Sequence, residues 1–107
     1  MQNISVYLNQ RASNSDVDWK GRINSALFRS NIEYKSPGNL EELYNELSYD
    51  VLNNVDAVMS VGGDGTVNTI IQTLAGTNVG LLVVPGGTAN DFAHTIGSSQ
   101  NVKKISQ

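Results

Sequence analysis

Hydrophobic positions recur along the chain in two alternating rhythms. Ile4-Ser5-Val6-Tyr7-Leu8 alternates with period two around β-branched residues and predicts a first strand. Asn9 to Ser15 is polar and predicts a loop. Ser15 with Asp18 three residues on predicts a helix start, after which Trp19, Ile23, Ala26 and Leu27 fall on one helical face. Ile32 to Lys35 predicts a short strand, and Ser36-Pro37-Gly38-Asn39 a turn. Asn39 with Glu42 can cap the next helix, whose apolar stripe is Leu40, Leu43, Leu47 and Val51. Asp56 to Val61 predicts a third strand. Val67, Ile70, Ile71 and Leu74 then follow helical spacing up to Gly76, a natural stop. Val79 to Val84 is almost wholly apolar, as in a strand covered on both faces. Thr88 to Ile96 predicts a fourth helix ended by Gly97. The stretch from Ser98 to Gln107 reads as a linker or as the start of a further element.

Four strand–helix units in series predict an α/β protein. The expected architecture is three layers, α/β/α, around a parallel, Rossmann-like (flavodoxin-like) sheet of about four strands. Residues 1–107 are expected to form one domain, because domains typically hold ~100–150 residues. Apolar residues make up 39% and charged residues 16%, which indicates a folded chain. The net charge of −3 argues against a partner such as nucleic acid held by bulk charge. With no cysteine and a single histidine, His94, neither disulfides nor thiolate or His-rich metal sites are expected. No apolar run approaches the ~20 residues of a membrane span, and a cytoplasmic location is expected. Trp19, Phe28 and Phe92 read as packing residues.

Candidate chemistry concentrates in two glycine-rich segments. Gly62-Gly63-Asp64-Gly65-Thr66-Val67-Asn68 follows the third strand, and Pro85-Gly86-Gly87-Thr88-Ala89-Asn90-Asp91 follows the fourth. Open parallel sheets bind ligands beyond the carboxyl ends of their strands. Glycine lets main-chain amides approach an anion without a Cβ in the way. A helix opening from such a loop adds free amides and a favourable dipole, a combination suited to phosphate. Two such loops on adjacent strands would converge on one site. Neither loop is a Walker A sequence, because no lysine follows. The dinucleotide fingerprint also fails, because asparagine stands at its last position. Plainer roles compete: Asp64 can be a turn or cap residue, and Thr88-Ala89-Asn90-Asp91 is also a capping box.

The two segments at this spacing resemble the diacylglycerol kinase catalytic domain family, which includes bacterial lipid kinases and sphingosine kinases. The likeness runs over about residues 4–97. It implies transfer of the ATP γ-phosphate to a lipid hydroxyl with magnesium, on a diacylglycerol-like substrate at a membrane surface. Carried over, Gly62, Gly63, Asp64, Gly65, Thr66, Val67 and Asn68 would hold the nucleotide phosphates, with Thr88 a further contact. Ser36 stands where the family often has a threonine near the nucleotide. Asn9 corresponds to the asparagine of the family's Asn-Pro-x-Ser-Gly segment, which here reads Asn9-Gln10-Arg11-Ala12-Ser13. Asp64 would lie near the transferred phosphate and the metal, as catalytic residue and magnesium ligand, with Asp91 as a second carboxylate. Complete members also carry a β-rich second domain with the lipid pocket, which these residues do not supply.

Two other readings stay open beside the kinase. One is a nucleotide-binding module without catalysis of its own that pairs with another chain; exposed sheet edges or a missing partner surface could also drive a homo-oligomer. The other is an enzyme similar to NAD kinases, against which the form of the Pro85 to Ala93 segment argues.

Overall fold

The computed structural model describes residues 2–85 together with Lys103 and Lys104, with backbone alone at Asp64, Pro85 and those two lysines. The elements run β1 (Asn3–Leu8), α1 (Gln10–Ser13), α2 (Trp19–Ala26), β2 (Asn31–Lys35), α3 (Leu40–Leu52), β3 (Ala57–Gly62), α4 (Asp64–Leu74), β4 (Gly80–Pro85) and β5 (Lys103–Lys104). Strand order is β2-β1-β3-β4-β5. The first four strands are parallel, as the alternation of strand and helix requires. β5 is a two-residue addition, antiparallel to β4 through Gly80↔Lys104 and Leu81↔Lys103.

The sheet separates two cores. On one face Ile4, Val6, Leu8, Met59 and Val61 pack with Ala12, Trp19 and Ile23 from α1 and α2. On the other, Tyr7, Val58 and Leu81 pack with Leu43 and Leu47 of α3 and with Ile70 and Leu74 of α4. Period-two alternation in β1 and β3 sends neighbouring residues to opposite cores, so both strands are buried on both sides. Each fully buried Leu, Ile or Val side chain contributes roughly 1.5–3 kcal/mol.

The layers follow from handedness. The chain steps from β1 outward to β2, then back past β1 to β3. Crossovers of one hand that progress in opposite directions must pass over opposite faces. α1 and α2 therefore lie on one face and α3 on the other. The turn-back leaves a crevice between the carboxyl ends of β1 and β3.

Local chemistry sets the helix ends, with some departures from expectation. The segment expected as a loop after β1 contains the one-turn α1, because the Asn9 side chain accepts from the Ala12 amide and Ala12 is buried. α2 starts later than Ser15: Asp18 is its cap and accepts from the Gly21 amide, whereas the Ser15 hydroxyl donates to the Ala12 carbonyl. Trp19 and Ile23 are buried as expected, but Ala26 is exposed. Phe28 is no core residue. It is 73% exposed, with the Arg29 guanidinium 5.4 Å from its ring. Asn39 caps α3 through the Glu42 amide (2.9 Å), and the Glu42 carboxylate accepts from the Gly38 amide (2.6 Å). Leu43 and Leu47 are buried, while Leu40 at the first turn stays exposed. Gly76, just past α4, has φ +79°, the left-handed conformation that ends helices. The expected helix over Thr88 to Ile96 and the core role of Phe92 lie outside the described residues.

Candidate functional site

The crevice between β1 and β3 is closed at its base by the end of their ladder. Leu8 pairs with Val61, and the Asn9 amide donates to the Val61 carbonyl (3.1 Å), extending the ladder past the end of β1. Asn9 Oδ1 accepts from the Ala12 amide at 2.8 Å. The other end of the same side-chain amide lies over Gly62. A Cβ on Gly62 would sit 2.2 Å from Asn9 Nδ2, and φ there is +140°. Glycine is needed at 62 on two independent counts, backbone conformation and space.

Gly63 is the cap residue of α4 and supplies no side-chain hydrogen bond to it. Among the described residues no side chain caps the first amides of α4, which open at the mouth of the crevice. Among the described residues a Cβ on Gly65 would meet nothing within 4 Å. Thr66 and Val67 are half-buried, and Asn68 is exposed. Gly62 is paired with Pro85 at the end of β4, so the second glycine-rich segment departs from a position beside the first. That segment, with Thr88 and Asp91, lies outside the described residues, as does the side chain of Asp64.

A cleft of about 200 Å³ opens next to the glycine turn. Leu8, Pro37, Leu40 and Leu43 give it apolar walls. Asn9, Gln10, Asn39 and Thr66 place polar groups around them. Gln10 Nε2 donates to the carbonyls of Ser36 (3.3 Å) and Pro37 (3.4 Å), tying the loop after β1 to the loop after β2. Ser36 itself is exposed and touches the site through this carbonyl. Asn9, Gly62, Gly63, Gly65, Thr66 and Ser36 thus share one edge of the sheet. Val67 and Asn68 continue into α4 away from the cleft lining.

A buried polar network lies under the cleft. Tyr7 contributes to the cleft floor, and its hydroxyl donates to Asp50 Oδ2. Lys35 pairs with Asp50 Oδ1 at 2.8 Å and with Glu33 at 3.2 Å. The Lys35 ammonium stands 5.7 Å from the Tyr7 ring centre and 5.6 Å from that of Tyr49. Burial raises the Tyr7 hydroxyl well above its usual range, and its hydrogen bond to Asp50 and the negative charge around it raise it further. For Lys35, burial works against the charge, but Asp50 and then Glu33 outweigh it and raise the ammonium above its ordinary value. Motif reading passed over these residues. The available signal was Asp50 falling on the buried face of α3 with Leu43 and Leu47.

The sequence model of the family described as "Diacylglycerol kinase catalytic domain" matches residues 8–107. The chain belongs to that family. It is 42% identical over 60 residues to the diacylglycerol kinase of Mycobacterium tuberculosis, a stretch covering 56% of this chain and 19% of that enzyme. A Klebsiella pneumoniae protein named "Probable lipid kinase YegS-like" is 43% identical over 51 residues, 46% of this chain and 17% of the relative. The matched stretch is thus about a fifth of the length of these relatives. Among solved structures, a "putative diacylglycerol kinase" from Bacillus anthracis superposes with a TM-score of 0.59 at 24% identity. It covers 94% of this chain and 37% of the other, and supports the likeness in fold.

Proposed function

We propose that this chain is the nucleotide-binding part of a lipid kinase, holding ATP for transfer of its γ-phosphoryl group to a hydroxyl of a diacylglycerol-like lipid. The observation that carries the reading is the glycine turn at the β1–β3 crevice. There Asn9 fills the space a Cβ at Gly62 would take, while among the described residues Gly65 and the first turn of α4 are left open. Phosphoryl transfer asks a protein chiefly for positioning and charge stabilisation. The main-chain amides of Gly63, Asp64, Gly65 and Thr66 hold the phosphate oxygens, with the α4 dipole favouring their charge. Asn9 braces the turn. The apolar cleft beside Thr66 receives the base, and Ser36 lies at its rim.

Among the described residues no group of three His, Cys, Asp or Glu side chains could hold a metal by itself. Magnesium favours one or two carboxylates completed by phosphate oxygens and water. Magnesium, when bound, neutralises charge developing on the phosphates. Asp64, at the first position of α4, is the carboxylate nearest that role, and the local candidate to accept the lipid hydroxyl proton. Thr88 and Asp91 join the site from the second segment in this reading. Among the described residues no helix is long and apolar enough to cross a membrane. In this reading the lipid is met at a membrane surface.

Calorimetry with a non-hydrolysable ATP analogue tests the reading. Binding by the wild type and its loss in Gly65→Val are expected, because the added side chain fills the open space above the first turn of α4. Equal affinity in both proteins would refute the assignment of the phosphate site.

A further inference from the structure

We infer that Gln10 selects the base of the bound nucleotide, favouring one with an exocyclic amino group, as in adenine, over one with an oxo group there, as in guanine. The inference deepens the proposed ATP site and rests on it. Gln10 opens α1 at the mouth of the cleft. Its Nε2 donates across the mouth to the main-chain carbonyls of Ser36 and Pro37, at 3.3 and 3.4 Å. A glutamine amide is oriented by its hydrogen-bond partners. Two carbonyl oxygens fix the nitrogen on their side, because a turned amide would set Oε1 against two acceptors. Oε1 is the end left for a ligand, and it is purely an acceptor.

The cleft is suited to a base rather than to a whole nucleotide. Its volume of about 200 Å³ falls below the ~300–1,000 Å³ that encloses a complete drug-sized ligand. Leu8, Pro37, Leu40 and Leu43 offer apolar surface to a flat ring, and Thr66 links the cleft to the first turn of α4. A ring lodged there directs its sugar and phosphates toward the glycine turn. Its amino edge then meets the rim that Gln10 spans. The adenine amino group donates to Oε1. The guanine O6 at the same place would put an acceptor against an acceptor. Glutamine pairs with adenine on the same donor–acceptor logic when proteins read bases in DNA.

The test is displacement of a ribose-labelled fluorescent ATP analogue from the full chain by ATP and by GTP. In the wild type, ATP should displace the label at a concentration about tenfold lower than GTP, the effect of roughly one good hydrogen bond. Gln10→Leu removes both polar ends at similar size and should bring the two nucleotides to near equality. Gln10→Lys offers donors only and should reverse the order in favour of GTP. Gln10 is exposed, so neither variant disturbs the core. An ATP-to-GTP ratio unchanged in both variants overturns the role of Gln10 while leaving the ATP site standing. A wild type that binds neither the label nor ATP overturns both.

Discussion

Gly62 and Gly65 lie three residues apart and answer to different demands. At Gly62 the backbone is left-handed and Asn9 occupies the space of a Cβ. Gly62→Ala should cost about 2–4 kcal/mol, the sum of backbone strain and a disturbed α1 cap. Urea denaturation measures it. Combining it with Asn9→Ala, which clears the obstruction, should cost less than the two changes added. At Gly65 a Cβ meets nothing among the described residues within 4 Å, and the residue is helical. Gly65→Ala should therefore stabilise the fold by about 0.5–1 kcal/mol, while ATP-analogue affinity falls in the same protein. A variant that gains stability and loses ligand marks a position kept as glycine for binding. Asp64→Asn should abolish lipid phosphorylation with little change in thermal stability, and full turnover would remove Asp64 from the proposed chemistry.

At the scale of elements, the joint between β1, β2 and α3 depends on a charged pair. Lys35 and Tyr7 are opposite one another in the β1–β2 ladder, which sends both to the α3 face, where Asp50 meets them. Asp50 is 2% exposed, so its charge needs both partners. Lys35→Met leaves the carboxylate without its cation and should cost ~3 kcal/mol at neutral pH. The pair also predicts alkaline behaviour. Tyr7 and Lys35 both hold their protons more tightly folded than unfolded, from ordinary values of 10.0 and 10.5. Their contribution is complete below pH 10 and is lost as pH rises beyond it. Urea midpoints between pH 8 and 11 should stay level and then fall. Tyr7→Phe should flatten the fall by up to ~1.4 kcal/mol per pH unit, the slope of one titrating group. A wild-type midpoint that is level through pH 11 would contradict the network's protonation.

For the molecule as a whole, the reversal of strand order between β1 and β3 decides where chemistry can occur. It opens a crevice at one rim, while the opposite rim carries the turns that lead into the strands, such as that of Thr77, whose hydroxyl donates to the Leu74 carbonyl. Ligand at 100 times its dissociation constant adds about 2.7 kcal/mol of stability, so an ATP analogue should raise the melting temperature by several degrees. The matched stretch spans about a fifth of the curated relatives. These 107 residues should show that thermal shift. Turnover by the isolated chain would mean that the acceptor site lies within it.

Much of the architecture is written locally. Period-two and helical spacing identify β1, β3, β4, α3 and α4, because side-chain direction along a strand or helix is a property of the element itself. Gly76 as a helix stop, Asn39 as a cap and the glycine turn after β3 are legible for the same reason. The short α1 was not, since it depends on one buried alanine and one capping bond within a polar segment. Nor could spacing place Phe28 outside the core, since helical period cannot show where α2 ends. Only the folded chain brings Asn9 over Gly62, ties Gln10 to Ser36 and Pro37, and gathers Tyr7, Lys35 and Asp50 beneath them. Sequence determined the turns and faces through local sterics and periodicity. Tertiary structure decided which of them meet, because strand order and register alone set the distances between residues far apart in the chain.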